Sequence, residues 1–178
     1  DAEAWKILLS EPEATLPVRP DGWWEERRTQ AYEALSAGKP KTAYDLVRNP
    51  GPLSVNAHND AAFLAGWLAL RHLNNPKQAL VHFQALAQSA DGPLSRSKAH
   101  YWLGRTYEAL GDRGKANESY LKGSLQIDTF HGQLARLKLD PKASSFKIDP
   151  PVAPTSAEIA RFSGLDVVQA IVIAHKAG

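Results

Sequence analysis

The sequence predicts an all-α fold in which helical hairpins stack into a solenoid. Ala-rich amphipathic segments dominate the 178 residues, and no run alternates with the period of two that a half-buried strand requires. One hairpin-like pattern also occurs three times, at spacings of 36 and 37 residues. Because a single hairpin cannot bury its apolar face alone, the repeated hairpins are expected to stack on one another.

The clearest copy of the pattern covers residues 100–120. It matches most anchors of the tetratricopeptide repeat with His100, Leu103, Gly104, Tyr107, Ala116 and Tyr120. Gly104 and Ala116 are small where two antiparallel helices are expected to cross closely, and Tyr120 is large enough to fill the space beside them. Gly111 is expected to end the first helix, because glycine tolerates the left-handed conformation of a helix C-cap. His100 departs from the pattern, since it stands in place of tryptophan.

Two degraded copies precede this one. The second copy contains Phe63, Gly66 and Trp67, the turn Asn74-Asn75-Pro76, and then Ala79-x3-Phe83-x2-Leu86. The first contains Tyr32 and Leu35, the turn Gly38-Lys39-Pro40, and then Ala43-x3-Val47. Glycine and proline predict breaks between the copies at Pro50-Gly51-Pro52 and at Asp91-Gly92-Pro93.

Other segments flank the repeats. A short helix is predicted over residues 2–10 and a proline-rich loop over 11–21. The apolar side of that helix is formed by Trp5, Leu8 and Leu9. Asp21 is expected to cap a helix that starts near Trp23, because its carboxylate can accept from the free amides of the first turn.

Three regions are therefore predicted: tetratricopeptide-like repeats over 1–139, a Pro-rich linker over 140–155, and terminal helices over 156–178. Proline removes amide donors and favours extended backbone, so the linker is expected to form a surface strap. Thr155-x2-Glu158 predicts a capping box at the first terminal helix. Asp166 is expected to cap the second.

Composition excludes several classes of function. No apolar run approaches the roughly 20 residues of a membrane span, and a net charge of +2 without a basic stripe argues against nucleic acid as a partner. The absence of Cys excludes disulfides and thiolate chemistry. A complete translation product begins with Met, and this chain contains none, so we expect it to be a piece of a longer protein with two arbitrary ends.

The basic residues have two interpretations. A solvated helix face is favoured for Arg27, Arg28, Arg96, Lys98 and Arg105. The alternative is a weakly basic groove for an anionic partner.

No residue is predicted to be catalytic, to bind a cofactor or to ligate a metal. His72 and His82 are not at ligand spacing, and neither His-x3-His nor Glu-x2-His occurs. His100 replaces a packing aromatic residue, so it is expected to lie in or at the edge of the core.

Paired carboxylates and aromatic rings were the remaining candidates for chemistry. Glu25 and Glu26 project about 100° apart on a helix, so they are expected to contact Arg28 and neighbouring polar groups rather than to act as a glycosidase pair. Four tryptophans could line a carbohydrate groove, although packing between repeats is favoured: Trp23, Trp24, Trp67 and Trp102.

Five passages, in order along the chain, resemble the superhelical region of the soluble lytic murein transglycosylases. They are Trp23-Trp24-Glu25-Glu26-Arg27-Arg28, Thr42-Ala43-Tyr44, Phe63-Leu64-Ala65-Gly66-Trp67-Leu68-Ala69-Leu70, Ala99-His100-Tyr101-Trp102-Leu103-Gly104-Arg105 and Thr129-Phe130-His131-Gly132-Gln133-Leu134-Ala135. The last is the most specific to that family, in which Tyr is expected at the place of His131.

The resemblance implies a periplasmic parent enzyme whose lysozyme-like catalytic domain follows this region. In that family one Glu protonates the glycosidic oxygen and then acts as base while the muramic acid 6-hydroxyl closes a 1,6-anhydro ring. The family motif is Glu-Ser followed by Gly-Leu-Met-Gln. Only Glu118-Ser119 matches in part, on the second helix of the best repeat, so it is rejected as catalytic.

The leading functional hypothesis is thus a scaffold that supports glycan binding and the placement of its own downstream catalytic domain. The expected partners are peptidoglycan glycan strands and that domain, with no cofactor. The alternative is a non-enzymatic tetratricopeptide-like adaptor that binds a peptide or a protein, since such repeats often serve as recognition surfaces.

Overall fold

The computed structural model describes residues 2–10, 19–143, 145–146, 148, 150 and 152–177, and it is all-helical. These residues form ten helices and no strand. The helices are α1 (Ala2–Ser10), α2 (Pro20–Ser36), α3 (Pro40–Val47), α4 (Val55–Arg71), α5 (Pro76–Ser89), α6 (Pro93–Ala109), α7 (Arg113–Ser124), α8 (Phe130–Leu139), α9 (Ser156–Ser163) and α10 (Asp166–Ala177). The prediction of an all-α fold is confirmed.

The chain divides into two compact units, Asp1–Phe146 and Lys147–Gly178. In the first unit α2 packs on α3, α4 on α5 and α6 on α7, so each of these pairs forms a hairpin. Helix α8 packs on both α6 and α7, and α1 packs on the first hairpin. Contacts also join α2 to α4, α4 to α6 and α6 to α8. We call the surface on which these four helices are neighbours the even-helix face.

The turns between paired helices lie where glycine and proline predict them. Gly38 and Gly111 have φ angles of 73° and 80°, a conformation that costs glycine little, and each lies just after a first helix. Helices α3 and α5 begin at Pro40 and Pro76, whose fixed φ suits the first helical position. These boundaries confirm the predicted turns.

The first predicted helix has the expected bounds, Ala2–Ser10. Trp5 and Leu8 are buried, as predicted. Leu9 was also expected on the apolar side, and that prediction is wrong, because its side chain is 46% exposed. The helical rotation that buries Trp5 and Leu8 carries the adjacent residue away from their face.

The prediction for the start of α2 is also wrong. The helix begins at Pro20, which places Asp21 in its first turn instead of at its cap. The Asp21 carboxylate accepts instead from the backbone N–H of Ser54, at 3.0 Å, immediately before α4. Residues 11–18 of the predicted loop lie outside the described residues.

The small residues of the repeat pattern mark places where two helices touch. A Cβ atom at Gly66 would lie 2.8 Å from the ring of Phe83, which is too close for carbon atoms. At Gly104 a Cβ atom would overlap the ring of Tyr120. Both rings are almost fully buried. The close crossing predicted for the third hairpin is therefore confirmed, and the second hairpin repeats it.

An aromatic cluster joins the second hairpin to the third. Trp102 of α6 stacks on Phe83 of α5, with ring centroids 5.7 Å apart and an interplanar angle of 19°. It also meets Phe63 of α4 edge-on at 5.9 Å. Such pairs add to the free energy gained by burying the rings, so Trp102 holds neighbouring hairpins together.

A polar contact joins the first hairpin to the second. The Tyr44 hydroxyl of α3 lies 2.9 Å from Nε2 of His82 on α5, in hydrogen-bonding geometry. Burial lowers the pKa of His82, and the charge of Arg48 lowers it further. His82 is therefore held in its neutral form at this joint.

The second unit contains α9 and α10, and none of the described residues in these helices is buried. The predicted capping box is confirmed, since Thr155 and Glu158 satisfy each other's backbone amides. Asp166 does not cap α10, contrary to the prediction. It occupies the first helical turn, because the chain already turns at Leu165, whose carbonyl accepts from the Gln169 amide. The described residues of 140–155 form no helix.

Gly104→Ala should lower the free energy of unfolding by about 1–3 kcal/mol, the usual cost of overpacking a core. The added methyl collides with the Tyr120 ring, and this outweighs the gain of about 1 kcal/mol that alanine brings to a helix. Chemical denaturation followed by circular dichroism measures the change. Gly114→Ala, at an exposed position of α7, is the matched control and should be neutral or slightly stabilising. Equal effects at the two positions would contradict the crossing.

Stability should fall as the pH is lowered from about 7.5 to about 5.5, through the ordinary pKa of histidine. Because the pKa of His82 is lower in the folded chain, its contribution is complete above the unfolded pKa and is lost as the pH falls through the folded pKa. His100 and His131 shift in the same direction. His82→Gln should reduce this pH dependence in denaturant titrations, with His72→Gln at an exposed position as control. An unchanged pH dependence in His82→Gln would rule out a contribution from this joint.

Candidate functional site

An ion pair between α2 and α4 is the centre of the most promising surface. Nη1 of Arg28 donates to Oδ2 of Asp60 at 2.8 Å, and Nε1 of Trp24 donates to the same oxygen at 3.2 Å. The hydrogen bond to Asp60 raises the pKa of Arg28. Both charged side chains remain accessible, at 42% and 36% exposure, so the pair can also contact a ligand.

Two open depressions lie beside this pair, and Arg28 and Asp60 line both of them. One is about 700 Å³ and the other about 350 Å³. The larger is completed by Thr29, Tyr32, Glu33 and Ser36. The smaller is completed by Asp21, Trp24, Glu25, Ser54, Asn56 and Ala57. We call the two depressions together the α2–α4 groove.

The groove offers hydrogen-bonding groups together with an aromatic ring. Tyr32 is 49% exposed at its edge. Hydrogen bonds from Ser54 lower the pKa of Asp21, so its carboxylate is an acceptor at neutral pH. Carboxylates, hydroxyls and one guanidinium can satisfy a ligand that has many hydroxyl groups, and an exposed ring can pack on its apolar face.

A lysine extends this polar surface onto α6. The Lys98 ammonium lies 3.5 Å from the centroid of the Phe63 ring. Burial lowers the pKa of Lys98, and the Asp60 carboxylate partly offsets that effect. Burial also lowers the pKa of His131 on α8, and the positive charge of Lys98 lowers it further. Arg28, Asp60, Lys98 and His131 thus follow one another across the even-helix face.

The prediction of a solvated helix face is wrong for part of the basic set. Arg27 is only 9% exposed and donates to the carbonyl oxygens of Leu8, at 2.9 Å, and Leu46, at 3.1 Å. It therefore joins the C-terminal turns of α1 and α3, where unpaired carbonyls favour a cation. Arg96 is exposed, as predicted.

Arg105 is half-buried and belongs to a polar cluster between α6 and α8. Its Nη1 donates to the Tyr101 hydroxyl at 3.1 Å, and its Nε lies 3.4 Å from a carboxylate oxygen of Glu108. Lys138 of α8 shares that oxygen at 2.9 Å. This cluster closes the contact between the two helices.

In the described part of the chain, no group of three or more His, Asp or Glu side chains is arranged so that it could hold a metal ion. His72 is exposed and meets the Trp67 ring at 4.6 Å. His100 is half-buried, as expected for a residue that replaces a packing aromatic. Its Nδ1 atom is buried without a hydrogen-bond partner.

The carboxylates discussed in the sequence do not form an acid–base pair. Glu26 accepts from Gln30 one turn later, at 3.0 Å, which confirms the expected contact with a neighbouring polar group. Arg28, the other expected partner, pairs with Asp60 instead. Glu118 is 62% exposed and 2.8 Å from Lys122, whose hydrogen bond lowers its pKa. A general acid needs a raised pKa, so the environment of Glu118 opposes that role.

The tryptophans mostly fill space between helices. Trp24 is 2% exposed, and Trp102 packs in the aromatic cluster described above. Trp23 and Trp67 are half-buried against the same core. The favoured packing interpretation is confirmed for these side chains. The exposed ring of the groove is instead Tyr32, which the sequence indicated only as a repeat anchor.

The segment Thr129–Ala135 is a helix start docked against α6. Thr129 caps α8 by accepting from the Gly132 amide at 3.0 Å, and its hydroxyl lies 2.8 Å from that of Ser97. Gly132 has no space for a Cβ atom, which would overlap the carbonyl of Gln126. Ala135, one turn later, is fully buried. Helix capping therefore explains the threonine of this segment, and close packing explains its glycine and its alanine.

Asp60 is the most important of the groove residues that sequence reasoning missed, because it forms the ion pair with Arg28. It lies 32 positions from Arg28, in no motif, and only the packing of α4 on α2 brings the two together. The one feature of the sequence that could have indicated Asp60 is its position on the first helix of the second repeat. No residue pattern distinguishes it from the other carboxylates.

None of the helices in the described residues is both long and apolar enough to cross a membrane. Comparison of the chain with protein-family models, with curated proteins and with solved structures gives no match.

Thr129→Val should lower the free energy of unfolding by about 1–2 kcal/mol, because the substitution removes the oxygen that caps α8 while keeping the side-chain volume. It also leaves the buried Ser97 hydroxyl without this partner. Thr129→Ser keeps the hydroxyl and is the matched control, with a smaller expected loss. Thermal and urea denaturation compare the three proteins. A serine variant as unstable as the valine variant would show that the cap contributes little.

Proposed function

We propose that this chain is the superhelical part of a periplasmic lytic transglycosylase, that it is a solenoid of tetratricopeptide-like repeats, and that it binds peptidoglycan glycan strands. In this proposal the catalytic domain lies in the parent protein, and the solenoid helps to place it on its substrate. The observation that carries the proposal is the α2–α4 groove, with its ion pair, its carboxylates and its exposed tyrosine ring.

The repeated helix crossings support the solenoid. Gly66 meets Phe83 and Gly104 meets Tyr120 in equivalent places of successive hairpins. The first helices of the hairpins also contact one another in order along the chain. Hairpins that repeat the same crossing and stack through the same helices are what a solenoid requires.

The chemistry of the groove suits a glycan. A sugar unit presents hydroxyl groups around its edge and apolar C–H groups on its faces. Asp60 and Arg28 can bond to hydroxyls while remaining paired with each other, and the Tyr32 ring can pack on a sugar face. A polymer needs an open groove in place of a closed cavity, and both depressions are open to solvent.

The resemblance to the soluble lytic murein transglycosylases supplies the class of glycan. The groove residues Glu25 and Arg28 belong to the Trp-Trp-Glu-Glu-Arg-Arg passage of that resemblance. The exposed position of Glu118 and its lowered pKa make it a poor acid. These residues fit a chain that binds and positions the glycan while another domain of the parent protein cleaves it.

Tyr32→Ala should weaken binding to purified peptide-free glycan strands about tenfold, the effect of losing roughly 1.4 kcal/mol of ring contact. Because the Tyr32 side chain is exposed, we expect the substitution to have little effect on folding. Phe130→Ala, at a ring that is 67% exposed on α8 and outside the groove, is the matched control. Co-sedimentation with sacculi and titration of soluble glycan strands measure the binding, and circular dichroism checks folding.

Three results would contradict the proposal. The first is an absence of binding to both sacculi and glycan strands by the folded wild-type chain. The second is saturable binding of a peptide in the groove without any glycan binding, which would favour the tetratricopeptide-like adaptor. The third is release of anhydromuropeptides by this chain at a rate that depends on Glu118, which would make the chain itself an enzyme.

A further inference from the structure

We infer that Lys98, with Phe63 beneath its ammonium, forms an anion-binding subsite next to the α2–α4 groove, and that its ligand is the carboxylate of a peptide stem. The inference rests on the proposed function, because it names the part of the peptidoglycan strand that this surface would contact. The groove would hold the sugars, and Lys98 would bind a charged group on the peptide attached to them.

The geometry around Lys98 leaves its charge available. The ammonium lies 3.5 Å from the Phe63 ring centroid, an arrangement in which the ring attracts the cation but accepts no N–H···O hydrogen bond from it. Among the described residues, no carboxylate lies within ion-pair distance of Lys98. A half-buried ammonium with three donors and no anionic partner can gain more from an arriving anion than a fully solvated one.

The neighbouring charges do not neutralise this position. Asp60, the carboxylate whose charge acts on Lys98, already accepts from Arg28 and Trp24. His131 has a lowered pKa, so it is mostly neutral near pH 7 and can act as a hydrogen-bonding partner. The Arg28–Asp60 pair carries no net charge, which leaves Lys98 with one unit of positive charge.

This charge suits a carboxylate better than a phosphate. One net positive charge beside an aromatic ring balances a monoanion, whereas a phosphate dianion would remain half compensated. The guanidinium fork that would favour phosphate is held by Asp60 in the case of Arg28 and by Tyr101 and Glu108 in the case of Arg105. The residue that bears a peptide carboxylate also has an alkyl side chain, which can contact the Phe63 ring.

The test is an NMR titration of the whole chain with acetyl-D-alanyl-D-alanine, its C-terminal amide, acetyl-L-alanyl-L-alanine and inorganic phosphate. The imidazole signals of His131 report binding, since the charge of Lys98 acts on this residue. The D,D-dipeptide acid represents a peptidoglycan stem, the L,L-dipeptide acid represents an ordinary protein C-terminus, and the amide lacks the charge. We expect saturable shifts with the D,D-acid and at least tenfold weaker binding of the other three.

Lys98→Met should weaken binding of the D,D-acid about tenfold or more, because it removes the charge while keeping an unbranched chain over Phe63. Arg96→Gln removes an exposed charge from the same helix and is the matched control, with unchanged binding. Lys98→Arg keeps the charge and should retain most of the affinity. If Lys98→Met does not fold, the affinity of Lys98→Arg still tests the inference, and a loss of binding in this folded variant would contradict it.

Equal binding of the acid and the amide, or unchanged binding in Lys98→Met, would overturn the inference. Preference for the L,L-acid or for phosphate would overturn the assignment to a peptide stem. The two proposals fail separately. Tyr32-dependent glycan binding without Lys98-dependent dipeptide binding would contradict only the proposed subsite. Lys98-dependent dipeptide binding without glycan binding would contradict the proposed glycan-binding function, and the peptide stem would then no longer be the source of the carboxylate.

Discussion

The insertion of an aromatic ring against a helical glycine is the contact on which the first unit depends. Phe83 occupies the space that a side chain at Gly66 would fill, and Tyr120 does the same at Gly104. These contacts fix how closely the two helices of a hairpin approach and where they cross. Because both hairpins use the same contact, they present their first helices in the same way, and those helices become neighbours on the even-helix face.

The polar surface of this face follows from that arrangement. Each of the helices α2, α4, α6 and α8 contributes one side chain to a series of interacting residues: Arg28, Asp60, Lys98 and His131. Their properties depend on position more than on residue type. Arg28 has a carboxylate at hydrogen-bonding distance, whereas Lys98, one helix further from Arg28, has an aromatic ring instead. The same stacking therefore produces a polar groove that contains an ion pair and, next to it, a cation that rests on an aromatic ring.

The local parts of this structure could be predicted from the sequence, and the distant contacts could not. Turns at Gly38 and Gly111 and the capping box at Thr155 follow from residues a few positions apart, and they are confirmed. Asp21 was expected to satisfy amides of its own helix, but its partner is 33 residues away. Arg27 is buried because two helix ends meet at its guanidinium. Propensity scales contain no information about such partners.

The burial of Arg27 and the exposure of Arg28 show why charge alone predicts little about function here. Adjacent residues on a helix point about 100° apart, so one guanidinium faces the packed ends of α1 and α3 and the other faces the groove. The first donates to carbonyl oxygens at two helix ends, and the second shares an accessible carboxylate. The rotation of the helix thus directs Arg27 to a contact within the fold and Arg28 to the groove. Of the two guanidiniums, only that of Arg28 lines the α2–α4 groove.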